Sequence, residues 1–422
     1  MLKPTDFGLS SENVNLISER YFLCQQIKPT IRGSWIERFA GSPDGFLADH
    51  FALKIQVTLC DSQTKELSLF LKVVPTGNPV LAQYLLDIGS FKKEVTLCEK
   101  VLPKIQERLA GKQIIPRYLF TKDDKLIVME NVKLKGFDIL KENNGIMDFE
   151  QLDKTLETLA HLHGGSIVVE EKEGRSLTEL FPDALKENAW TGIKGSVRTR
   201  DVENVIVLWC GFMRIAQKDS TKSEKILKVL PEIIRSIFNL VKPSKVWRNV
   251  FSHGDLWNNN VMFKNSQDGV PLDCVLVDFQ LSRYTPPAFD INMLLSLTTL
   301  KKFRSERMSE LLENYYRVFE QILKQNEIDP AHSYTKESFL ESCKHYRLAG
   351  QVLGCIIGPE VLLPQNCLNE VFACSAQCAG FMPDPKVDIC LKAFRSDHVY
   401  RERMLDMVQE LLPEEYGESF FK

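Results

Sequence analysis

His253–Phe263, HGDLWNNNVMF, decides how the rest of this chain is read. It sets a carboxylate and an amide five residues apart, Asp255 and Asn260, just before an apolar strand run, Val261–Phe263. A second run, Cys274–Phe279, ends in Asp278-Phe279-Gln280, and the turn-rich stretch 265–273 between the two runs makes a hairpin. That hairpin brings Asn260 and Asp278 to one mouth. Phosphoryl transfer needs this set of groups. One carboxylate accepts the proton of an attacking hydroxyl, while an amide oxygen and a second carboxylate hold Mg²⁺ against nucleotide phosphates. Each piece alone has a blander reading: an Asx-turn at Asp255, a plain loop at 258–260, a surface turn at Asp278. Their agreement with two strand signals favours the site.

The spacing H-x-D-x(4)-N followed by D-F is that of the catalytic and metal-binding segments of protein kinases. Such a site needs a Lys on an interior strand and a Glu on the next helix. The front of the chain offers both. Phe51–Thr58 and Glu66–Val74 alternate apolar and polar and predict a hairpin of two strands. Lys72 stands inside the second, in LFLKVV, where an edge-blunting Lys is the alternative. Phe91, Glu94, Val95, Cys98, Val101, Leu102 and Ile105 recur at helical spacing, with Ser90 as N-cap. Glu94 is the partner candidate, and Lys92, Lys93 and Glu99 read as solvated face residues. Short strands are expected at Arg117–Phe120 and Leu126–Met129. The stretch Met129-Glu130-Asn131-Val132 falls where a kinase hinge meets adenine. A phosphate loop is poorly marked: Gly41-Ser-Pro-Asp-Gly45 is not G-x-G-x-x-G. Gly45 either lets backbone N–H groups approach phosphate or belongs to an ordinary loop. No GxxxxGK[ST] is present, which disfavours a P-loop NTPase.

HGDLWNNNVMF, VDFQ, LKVV, FKKEV and MENV together resemble the ecdysteroid kinase-like family, part of the CHK kinase-like group related to choline kinases and aminoglycoside phosphotransferases. The resemblance runs over roughly residues 30–410 and is specific at the catalytic segment. It implies an α+β, two-lobed protein-kinase-like fold with a small β-rich N-lobe and a large, mainly helical C-lobe. It implies ATP- and Mg²⁺-dependent phosphorylation of a small-molecule hydroxyl, with ecdysteroids as the best-known acceptors and insect detoxification as a proposed role. Asp255 would then be the base, Asn260 and Asp278 the Mg²⁺ ligands, and Lys72 the phosphate-binding Lys with Glu94 as partner. His253 would brace the loop. Asp290 would anchor it, a plain N-cap being the alternative. His161 and His163 read as satisfied core histidines. Asn258 departs from the family, where a small apolar residue is commoner. Gln280 in place of the Gly of DFG, with no A-P-E, counts against a protein substrate.

Composition bounds the rest. The 422 residues carry 53 Lys+Arg against 56 Asp+Glu, a net charge of −3, which argues against nucleic acid as partner. The expected division is 1–30 as an N-terminal helical extension, 31–135 as N-lobe and 136–422 as C-lobe. No apolar run reaches the length of a membrane span, and no secretory signal precedes the 11 Cys. Reduced thiols in the cytoplasm are expected, with Cys367, Cys374, Cys378 and Cys390 as helix packing rather than a zinc site. A cationic acceptor would need an aromatic and acidic cage, with Trp247, Trp257 and Tyr284 as candidates. A steroid would need an apolar pocket, with Leu208–Met213 and Val352–Leu363 as candidates; core packing is the alternative for all of these.

Overall fold

The computed structural model describes residues 2–23, 27–39, 48–59, 63–75, 77, 79–140, 145–217, 220–368 and 385–412. Five strands build the front: β1 (Thr30–Arg38), β2 (Asp49–Thr58), β3 (Thr64–Val73), β4 (Tyr118–Lys122) and β5 (Leu126–Glu130), antiparallel and ordered β1-β2-β3-β5-β4. Period-two alternation decides which side chains share a face. Phe51, Leu53 and Ile55 of β2 stand opposite Leu71, Leu69 and Leu67 of β3. All six are buried under α1 (Ser11–Phe22). That helix starts where the Ser10 hydroxyl accepts the Asn13 N–H at 3.2 Å.

The opposite face carries Lys72, in register with Ile127 of β5. Phe91, Val95, Cys98, Ile127 and Met129 pack beside it. The helix that covers this face is broken up. α2 (Pro79–Ile88) ends at Gly89, whose φ of 64° turns the chain into α3 (Ser90–Thr96). Ser90 is therefore the first residue of α3, buried and not its N-cap. The helix widens into a π-turn over Leu97–Val101, then continues as α4 (Leu102–Gln106), where Pro103 supplies no N–H.

After β6 (Phe137–Ile139) the chain is mainly helical. α5 (Phe149–Glu173) starts at Asp148, which accepts the Gln151 N–H at 2.8 Å. Short α6 (Leu177–Leu180) and α7 (Pro182–Leu185) lead to α8 (Val197–Ala216), α9 (Ser220–Arg235) and α10 (Ile237–Leu240). Two small sheets interrupt: β7 (Val250–Ser252) with β10 (Arg283–Thr285), and β6 with β8 (Val261–Asn265) and β9 (Pro271–Leu276). The strand expected to run to Phe279 stops at Leu276, because Asp278 takes φ 66°, outside strand geometry. α11 (Pro287–Thr298), α12 (Lys301–Gln325), α13 (Pro330–Ser333), α14 (Lys336–His345) and α15 (Arg347–Val361) follow, then α16 (Pro385–Ser396) and α17 (His398–Leu411).

α12 lies along α5 and α11 along α15, around one large apolar core. Leu208, Trp209, Phe212, Val352, Leu353 and Ile356 belong to that core, which is the packing alternative for both stretches. Cys98, Cys274, Cys343 and Cys355 are buried free thiols. Cys367 and Cys390 are core residues, and Cys374 and Cys378 lie outside the described residues. Among the described residues, no helix is long and apolar enough to cross a membrane. The architecture is α+β: a small β-rich front and a large helical remainder.

Candidate active site

β7 leads directly into the segment 253–260. Its Ser252 pairs with Arg283 and its Phe251 with Tyr284 of β10. The backbone then turns at Gly254, with φ 77°. A Cβ there would stand 2.2 Å from the Leu281 carbonyl oxygen, so any side chain is excluded. Asp290, fully buried in the first turn of α11, holds the turn. Its carboxylate accepts the His253 N–H at 2.6 Å and the Gly254 N–H at 2.9 Å. His163 Nε2 approaches it at 3.1 Å, while His163 Nδ1 meets the Tyr315 hydroxyl at 2.7 Å. α11 begins after Pro286, so Asp290 is not its N-cap. Burial pushes the Asp290 carboxyl up, but the His163 bond, the two imidazoles and the Gly254 N–H outweigh it and hold it below the usual carboxylate range. His163 is a satisfied core histidine. His161 is not: it is only partly buried, with Nδ1 against the Glu157 carbonyl at 2.8 Å.

His253 ties this loop to the strand end that precedes Asp278. Its Nε2 lies 3.0 Å from the Val277 carbonyl, and its Nδ1 accepts the Asp255 N–H at 3.3 Å. A carbonyl on one nitrogen and an N–H on the other require the neutral ring with its proton on Nε2. Burial lowers the His253 pKa in agreement.

The ionic groups converge from four separate segments. Lys72 Nζ on β3 donates to Glu94 Oε2 on α3 at 2.7 Å and to Asp278 Oδ1 at 3.0 Å. Asn260 Nδ2 donates to the Asp255 carbonyl at 2.8 Å and to Asp255 Oδ2 at 3.2 Å. Burial would strip the Lys72 proton, but two carboxylates hold it, and its pKa moves up. Burial and the Asp278 charge push Glu94 up, since two carboxylates compete for one ammonium. Asp255 is pushed up to about 7 by burial and then by Asp278, with Arg198 and Arg283 pulling the other way.

Do these groups suit a magnesium ion? Asp278 is the most open of the set, with 28% of its side chain exposed, and among the described residues its second oxygen has only Gln280 Nε2 at 3.5 Å. The NH₂ of Asn260 is committed to Asp255, which leaves its amide oxygen for a cation. One carboxylate and one amide oxygen suit Mg²⁺, which is usually held by few protein oxygens together with phosphates. Among the described residues, no three His, Cys, Asp or Glu cluster as a metal cage.

The remaining candidates are less converged. Gly45 lies outside the described residues. Met129 and Glu130 sit on β5 opposite Phe70 and Leu69, two and three positions along β3 from Lys72. Glu130 binds Lys135 Nζ at 2.7 Å and gives its backbone N–H to the Arg117 carbonyl. Val132 opens a 3-10 turn just beyond.

Lys93 overturns its reading as a solvated residue. It is buried, and its Nζ donates to the Lys186 carbonyl at 2.9 Å and to Asn188 Oδ1 at 3.0 Å. Its partners lie more than ninety positions away in the chain, so helical periodicity carried no sign of them. Two of the three cage candidates have other partners. Trp247 packs on His345 and Tyr346, and the Tyr284 hydroxyl donates to Glu170 at 2.6 Å.

No curated protein matches the chain. Among solved structures, a microcompartment-associated aminopropanol kinase aligns at 11% identity over 85% of this chain and 94% of its own, with TM-score 0.35. A choline/ethanolamine kinase family protein from Mesorhizobium loti aligns at 13% identity over 86% of this chain and 93% of its own, with TM-score 0.34. The model of the ecdysteroid kinase-like family matches residues 42–327, the span that contains Lys72, Glu94, Asp255, Asn260 and Asp278. The chain belongs to the ecdysteroid kinase-like family.

Proposed function

We propose that the chain transfers the γ-phosphoryl group of ATP to a hydroxyl of a small molecule, an ecdysteroid or a related apolar alcohol. One relationship carries the reading: Lys72 bridges Glu94 and Asp278 while Asn260 binds Asp255, so every charged group the transfer needs is present in one site. A non-catalytic nucleotide binder has no need of a buried Asp255 beside Asn260.

Lys72, oriented by Glu94, neutralises the α- and β-phosphates of the substrate ATP. Asn260 and Asp278 would hold Mg²⁺, which would supply positive charge to offset that of the nucleotide phosphates. Met129, Glu130 and Val132 border the adenine. Asp255 orients the acceptor hydroxyl and takes its proton as the new O–P bond forms and ADP departs. A pKa lifted to about 7 suits a base of this kind. His253 and Asp290 keep the loop in place and touch no substrate. The same transfer would serve hormone inactivation or detoxification in the cytoplasm.

The test uses labelled ATP and a panel of steroid and alcohol acceptors. Asp255→Ala should lower phosphorylation by about 100- to 10,000-fold with ATP binding kept. Unchanged transfer in that variant would remove Asp255 as the base.

A further inference from the structure

The helix that carries Glu94 has little of its own to fix its rotation. α3 is seven residues long, well short of the length at which a helix holds itself in water. It starts after Gly89, which is in the left-handed region and supplies no side-chain cap, and it runs out into the π-turn of Leu97–Val101. Yet Glu94 has to meet Lys72 at 2.7 Å, and a modest rotation about the helix axis would swing its carboxylate off the ammonium. The constraint comes from outside the helix.

Five residues of the helical remainder, 186–190, supply it. Lys93 precedes Glu94 and is turned about 100° from it around the helix. Its Nζ donates to the Lys186 carbonyl at 2.9 Å and to Asn188 Oδ1 at 3.0 Å. Asn188 Nδ2 reaches back to the Ile88 carbonyl at 2.8 Å, one residue before the Gly89 turn. Asn188 therefore holds both the start of α3 and the residue beside Glu94. The same segment is tied to the catalytic loop. Glu187 Oε1 accepts the Ala189 and Trp190 N–H groups at 2.8 and 2.9 Å, and Glu187 Oε2 lies 3.3 Å from Arg283 Nε. Arg283 Nη2 donates to the Leu281 carbonyl at 3.1 Å, the carbonyl that leaves no room for a side chain at Gly254. Both acceptors of Lys93 are uncharged, and burying an amine against neutral oxygens is costly. An apolar side chain would fill the contact at lower cost, but apolar packing has no direction, whereas two hydrogen bonds fix one.

We propose that Lys93 and Asn188 are positioning residues: they lock α3 onto the segment 186–190 and so hold Glu94 on Lys72. They touch neither nucleotide nor acceptor and act on the transfer only through Glu94. This deepens the phosphotransferase reading and rests on it. With the tether cut, α3 is free to rotate. Lys72 then keeps Asp278 but loses Glu94, and its ammonium is no longer set for the α- and β-phosphates.

The experiment uses the full chain with Mg²⁺ and labelled ATP on the steroid and alcohol panel, with ecdysone as the first probe, and reads kcat and KM on the acceptor used best. Lys93→Met and Asn188→Ala should each lower kcat about 10- to 100-fold, the effect of a small misplacement at the reacting groups, with the KM of the acceptor unchanged. Asn188 is only half-buried, so its variant decides the matter if Lys93→Met does not fold. The critical comparison is made in Glu94→Ala, which has no carboxylate left to place, with single-turnover measurements to keep weak transfer readable. In that background neither tether variant should lower kcat further, because residues that act through one group are not additive. General damage to the fold would lower kcat by the same factor in both backgrounds, and that result overturns the inference. Unchanged kcat in both tether variants overturns it as well. Absence of Asp255-dependent transfer to every member of the panel overturns the kinase reading itself, and this inference with it.

Discussion

The ammonium of Lys72 lies 3.0 Å from a carboxylate oxygen of Asp278, 206 residues further along the chain. This bond joins the β-rich front to the helical remainder at the place where the phosphates would lie. Glu94 completes the triad from α3 at 2.7 Å.

Breaking that triad should cost both stability and activity. Lys72→Met leaves Glu94, 1% exposed, as a buried carboxylate without its cation. The expected loss is about 3–5 kcal/mol of unfolding free energy in urea, together with ATP turnover. Adding Glu94→Leu should return most of the stability and none of the turnover, because an apolar pair of similar size needs no desolvation. A double variant no more stable than Lys72→Met alone would count against this account.

Gly254 is the least replaceable residue of the loop. Gly254→Ala meets the Leu281 carbonyl oxygen at 2.2 Å as well as a φ of 77°. A loss of at least about 3 kcal/mol is expected, with Asp255 displaced. Gly89→Ala is the control, since its φ is 64° but no atom lies within 4 Å of the new Cβ. That change should cost only about 1 kcal/mol. Equal losses in denaturant unfolding would show that the contact with Leu281 is not what matters.

Asp290→Asn removes the charge that three donors share. The folded carboxyl is held below its ordinary value of 3.8. Its stabilisation is therefore complete above that value and is lost as pH falls through the folded pKa. Wild type should lose its advantage over Asp290→Asn only in strong acid. Thermal unfolding of both proteins between pH 7 and pH 2 measures this, and an advantage that is constant with pH would refute it.

Lys93 behaves in the opposite sense. Burial lowers its pKa from 10.5 to about 7, with Glu187 opposing and Arg283 reinforcing the shift. Between those two values the unfolded chain binds a proton that the folded chain does not. Stability attributable to Lys93 therefore rises with pH across this window, and its burial penalty is fullest below about 7. Lys93→Met should flatten the slope of unfolding free energy between pH 7 and pH 10. Parallel slopes in the two proteins would sink the assignment.

Much of the site could be read from local pattern. An Asp and an Asn before one strand and a second Asp after the next imply a hairpin mouth, and Lys72 in an apolar run stands out because burying an unpaired ammonium is costly. β2 and β3 followed from alternation. β1 was missed because a register shift between Ile31 and Gly33 and a half-buried pattern blur its alternation. β6, β7 and β10 are three residues each, too short to show a period. Ser90 looked like a cap because the positive φ that makes Gly89 the turn cannot be seen in a residue name.

Sequence alone determined which chemistry-bearing groups this protein has and the short-range elements that carry them. Periodicity and spacing are local, and Asp255 with Asn260, or β2 with β3, are neighbours in the chain. Tertiary structure alone decided the partners of each buried charge. Lys93 faces solvent in a helical wheel but meets Lys186 and Asn188 in the fold. Asp290 could cap a helix but instead holds His253 and Gly254. Arg198 and Arg283 carried no signal at all until packing set them against Asp201 and Glu187. A charge shows its type in the sequence, but its partner is fixed only when folding removes water from both.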